Sequence, residues 1–83
     1  MENTLRDTLH RALLARHATL RHGWCRQKDI DLLRASIGRV EVFLRSFPAA
    51  SDEMVREWCR LRERDVRLVV PSNMKKVLVA LVG

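Results

Sequence analysis

Between Asp29 and Phe47 the apolar residues Ile30, Leu33, Ile37, Val40, Phe43, Leu44 and Phe47 recur every three or four positions. A chain segment with that period is an α-helix with one oily side, because 3.6 residues complete a turn. Asp29 is placed to cap its start, and Pro48 ends it. Arg34, Arg45, Asp31 and Glu41 take the opposite side, and the apolar face is broad enough to meet two neighbours.

The flanking segments repeat the pattern. Thr4 or Asn3 can cap a first helix, with Asp7 positioned to complete a capping box. Leu5, Leu9, Ala12, Leu13 and Leu20 fall on one side of it, and Gly23 marks its end. Arg16 projects from the middle of that stripe, so it is expected to snorkel past the core edge or to meet an acid from another helix. After Pro48-Ala49-Ala50, Ser51 or Asp52 caps a third helix running to about residue 66, with Asp52, Glu53 and Glu57 against its N-terminal dipole. Met54, Val55, Trp58, Cys59 and Leu61 are expected to point inward. Glu53–Arg56, Glu57–Arg60 and Glu63–Arg67 are spaced to pair along the solvated side.

The tail is ambiguous from sequence. Ser72 can cap a fourth, short helix with Met74, Val77, Leu78 and Leu81 inward. The β-branched runs around Pro71-Ser72-Asn73 instead suit a hairpin, with Val66, Leu68 and Val70 alternating. Lys75 and Lys76 at a helix start oppose the dipole, whereas the Leu and Ala that follow favour the helix. The fold expected is therefore all-α, a compact bundle of three amphipathic helices plus a short C-terminal helix, with a C-terminal β-hairpin as the alternative. Eighty-three residues, 47% hydrophobic and 31% charged, suit one globular domain over 1–83.

The net charge of +6 is unevenly spread. Arg6, Arg11, Arg16, Arg21, Arg26 and Lys28 face only Glu2 and Asp7 in the first 28 residues, while eight Arg and eight acids balance between 29 and 70. Lys75 and Lys76 complete the surplus. The five N-terminal Arg recur every five residues, which turns successive members about 140° around a helix, so they do not form one phosphate-tracking stripe. Arg11, Arg21, Arg26 and Lys28, joined by Lys75 and Lys76, are the candidate nucleic-acid patch; the plain alternative is a solvated basic surface. A helix-turn-helix across Pro48 would present Asp52, Glu53 and Glu57 to phosphates, which repel them.

Chemistry finds little footing. His10 and His17 lie about 10 Å apart along a helix, too far to share one ion, and His22 with Cys25 offers only two ligands. Cys25 and Cys59 form neither a zinc motif nor a disulfide framework. No phosphate-binding loop or nucleophile elbow occurs. A non-enzymatic chain without cofactor, metal or small-molecule substrate is the expectation. The N-terminus lacks a signal-peptide core, and the longest apolar run, Val77 to Val82, is far short of a membrane span, so a cytoplasmic protein with no membrane association is expected. The function expected is a small protein-interaction module (an adaptor, chaperone-like subunit or regulator) docking through a helical face. Trp24 is its foremost contact, with Arg21 and Arg26 setting orientation, and self-association is possible. The competing expectations are a nucleic-acid-binding regulator and a structural subunit of a larger assembly.

Overall fold

A computed structural model describes residues 4–23 and 27–83. Its first helix begins where the Thr4 hydroxyl oxygen accepts from the backbone N–H of Asp7 at 3.1 Å, satisfying one of the donors that every helix start leaves open. Helix α1 spans Leu5–Arg21, α2 Gln27–Ser46, α3 Asp52–Leu61, α4 Glu63–Val69 and α5 Lys75–Val82. The bundle is all-α, with no strand among the described residues. Gly23, just past α1, takes a positive φ of 69°, the left-handed turn that glycine adopts without a Cβ clash.

The third expected helix is two. Arg62, at φ −117° and ψ 34°, leaves the helical region and separates α3 from α4. Ser51 caps α3 as expected, accepting from the Met54 N–H at 3.3 Å. Asp52 does more than face its own helix dipole: its Oδ1 accepts the Leu5 backbone N–H at 2.9 Å, so a side chain at the start of α3 also closes the start of α1.

The tail resolves as helix, and the hairpin is not supported. Val66 and Leu68 belong to α4, and Lys75–Val82 forms α5 with Met74, not Ser72, at its N-cap. Two lysines near a helix N-terminus cost about 0.3–1 kcal/mol each when exposed. Full burial of Leu81 returns about 1.5–3 kcal/mol, and Val77 and Leu78 add to it against the same core.

One core cluster joins all five helices. Leu9, Ala12 and Leu13 come from α1, Leu33, Ile37, Val40, Phe43 and Leu44 from α2, and Val55 and Cys59 from α3; Val66, Val69, Val70 and Leu81 complete it. Burial pushes the Cys59 thiol up to about 12, so it packs as a neutral group. Arg16 does not snorkel, and among the described residues it meets no acid. Its Nε and Nη2 donate to the carbonyl oxygens of Val69 and Val70, each at 3.2 Å. A cation from α1 thus closes the C-terminus of α4, where unpaired carbonyls and the negative dipole end favour it.

Helix α2 packs closely on α4, and a polar clamp fixes that contact. Arg39 donates from Nε and Nη2 to the two oxygens of Asp65, both at 2.9 Å, and the buried Ser36 hydroxyl donates to Asp65 Oδ1 at 3.0 Å. The hydrogen bonds from Arg39, with a smaller one from Ser36, hold the Asp65 carboxyl below the usual carboxylate range. Its folded pKa is lower than its unfolded one, so its stabilising effect is complete above the unfolded value. That effect fades as pH falls through the folded value. Asp65→Asn is therefore expected to melt lower at neutral pH and to lose part of the wild-type decline on acidification. Thermal melts from about pH 6 to pH 2 check this, and an unchanged acid slope in the variant would contradict it.

Among the paired charges expected along the third segment, Glu63–Arg67 closes at 3.3 Å. Glu53–Arg56 and Glu57–Arg60 form no ion pair among the described residues.

Candidate docking groove between α2 and α3

Helix α3 packs on α1, α4 and α5, but no Cα of α3 comes within 8 Å of one in α2. An aromatic contact bridges the gap. The Phe43 ring stacks on Trp58 with centroids 4.4 Å apart and planes 13° from parallel, and Phe47 leans on Phe43 at 5.5 Å. Over this floor lies an open groove of about 600 Å³, walled by Val42 and Phe47 on the α2 side and by Trp58 and Arg62 on the other. Arg39 and Arg45 stand on its rim, and no carboxylate among the described residues lines it.

The gap explains where the apolar expectations depart from the structure. Phe47 is 48% exposed, Met54 48% and Leu61 77%, although all three were expected inward. Met54, Trp58 and Leu61 share one side of α3 at i, i+4 and i+7, turned away from the Val55–Cys59 side that meets the core. Trp58 meets α2 through Phe43 and Leu61 borders Leu32 and Arg39 across an open concavity, while α2 packs on α4. Trp58 is only half-buried. Val42 lies off the buried period of α2, in a second stripe of Leu32, Ala35, Arg39, Val42 and Ser46 beside it. It is 55% exposed.

A second concavity, of about 420 Å³, continues the first. It shares Arg39 and Arg62 with it and adds the exposed Leu32 and Leu61, together with Leu68.

The residues expected to bind partners or nucleic acid are distributed elsewhere. Trp24 and Arg26, with Cys25, lie outside the described residues. Arg21 ends α1, exposed, beside His17, Arg34 and Glu41 in a separate shallow concavity. Arg11 is exposed on α1, Lys28 in the first turn of α2, and Lys75 and Lys76 in the first turn of α5. The patch thus draws on three helices. His17 Nε2 sits 3.4 Å from Glu41 Oε1, and among the described residues no group of three metal-ligating side chains assembles. No described helix is long and apolar enough to cross a membrane.

No family model, curated protein or solved structure matches this chain.

Proposed function

We propose that this chain is a small non-enzymatic protein-interaction module that docks a partner through the α2–α3 groove. The observation carrying this is the exposure of Val42 and Phe47 directly above the Phe43–Trp58 stack. A domain of this size gains little by leaving an aromatic-floored apolar groove open to water; a partner that covers it gains about 25 cal/mol per Å² of apolar surface removed from water. Trp and Arg are among the residue types that most often dominate such contacts, and Trp58 and Arg62 together form the α3 wall of this groove.

The nucleic-acid reading would instead draw on Arg11, Arg21, Lys28, Lys75 and Lys76. Affinity capture from the native host separates the two when wild type is compared with Val42→Asp and with Arg11→Glu. Val42 is on the surface, so its substitution should change stability by less than about 0.5 kcal/mol. The groove reading expects Val42→Asp to lose a stoichiometric protein partner at least tenfold, an order-of-magnitude figure for a charge forced into an apolar contact, while Arg11→Glu keeps it. Retention by Val42→Asp would contradict it, as would capture of nucleic acid whose affinity falls steeply with salt and is lost in Arg11→Glu.

A further inference from the structure

We infer that the occupant of this groove is an acidic amphipathic helix of another protein, a reading that rests on the docking function above and names its partner. Shape argues first. The outward stripe of α2 from Leu32 through Arg39 and Val42 to Ser46 runs straight for about 21 Å at 1.5 Å per residue. Both concavities border it and share Arg39 and Arg62, so the surface is one trough about four helical turns long. A partner helix with apolar anchors at i, i+3 or i+4, and i+7 matches that length and spacing.

Gly38 lies beside the stripe in the middle of α2, and a Cβ there would meet nothing within 4 Å. The fold gives no steric reason for a glycine that weakens the helix it sits in. A backbone docked close against α2 supplies one.

Charge then selects the partner. Arg45 and Arg62 rim the first concavity with no carboxylate among its described lining residues, and Arg64 joins Arg62 in the second. Asp65, the one acid among the described lining residues of the two concavities, is paired with Arg39, so those two charges offset each other and the uncompensated ones are Arg45, Arg62 and Arg64. A second copy of this chain would bring its own surplus of +6 against that rim. An acidic helix complements it.

The test uses the full chain and three designed helical peptides of about 15 residues, long enough for four turns. One carries Leu and Phe anchors with Glu elsewhere, the second replaces every Glu with Lys, and the third scrambles the acidic sequence. Amide chemical-shift mapping and calorimetry read binding. The acidic peptide is expected to shift α2 and α3 amides around Val42 and Trp58 and to bind about tenfold tighter than the basic one at low salt, with the gap closing near 1 M salt. The double variant Arg45→Glu and Arg62→Glu should reverse the preference, and Val42→Ser should weaken both peptides. Both substituted sets lie on the surface, and circular dichroism melts confirm that each variant is folded. Equal binding of the acidic and basic peptides at the trough overturns the acidic partner while leaving the groove reading standing. Shifts that fall away from α2 and α3, or none with any peptide, overturn both. A dimer in sedimentation that Val42→Ser dissociates assigns the trough to a second copy and overturns the inference.

Discussion

Leu81→Ala should remove a large part of the stability of this protein, while Val79→Ala, two residues away, should leave it almost unchanged. Leu81 is fully buried and Val79 is 66% exposed, because two residues are about 200° apart on a helix. Truncating a buried Leu costs about 2–5 kcal/mol. A chain of this length holds only about 4–12 kcal/mol in total at 0.05–0.15 kcal/mol per residue. The exposed substitution should change stability by less than about 0.5 kcal/mol. Urea unfolding followed by circular dichroism measures both. The pair also discriminates between the two expectations for the tail, since in a strand residues 79 and 81 share one face and both substitutions would then cost alike. Equal losses would contradict α5.

Arg16→Met should lower the melting temperature by about 10 °C. The Met stem keeps the packing of the Arg chain but removes both donors from the Val69 and Val70 carbonyls, at the C-terminus of α4. A part-buried hydrogen bond from a charged group is worth about 1.5–3 kcal/mol. Two long ones sharing a single cation are taken here as about 2 kcal/mol together, and 1 kcal/mol shifts a domain of this size by about 4–8 °C. Arg16→Lys should recover only part of the loss, because an ammonium does not fork across two carbonyls. A thermal melt of Arg16→Met that overlays wild type would show the two hydrogen bonds contribute nothing in solution.

The helices were legible because period is a local property. The apolar residues that water leaves dry on α2, Leu33, Ile37, Val40, Phe43 and Leu44, are all among those the spacing selects, although Ile30 and Phe47, which it also selects, are not buried, and Thr4 and Ser51 cap where their side chains permit. What period does not carry is which helix covers which face. Phe47, Met54 and Leu61 read as core and stand in solvent; Leu61 does so across the open concavity that separates it from Leu32 of α2. The Ser36–Asp65–Arg39 clamp and the Arg16 contact with α4 are not legible in the sequence for the same reason. Each joins residues at least 26 positions apart, and no local signal marks such a pair. The groove was hidden one step further. Its clue was the second stripe of α2, where Leu32, Ala35 and Val42 stand at helical spacing on a side that the charged Arg39 makes look solvated. Trp58 reads as inward from its spacing and is half-buried against Phe43, but nothing local shows that its other side stays open.

The most direct measurement places a photo-crosslinking side chain at Val42 in one variant and at Arg11 in another, each expressed in the native host. If the trough over Phe43 and Trp58 is where this protein is gripped, Val42 gives one discrete protein adduct that disappears when Phe47→Asp is added, and Arg11 gives none. An adduct formed from Arg11 alone, with the Val42 position silent, would contradict it.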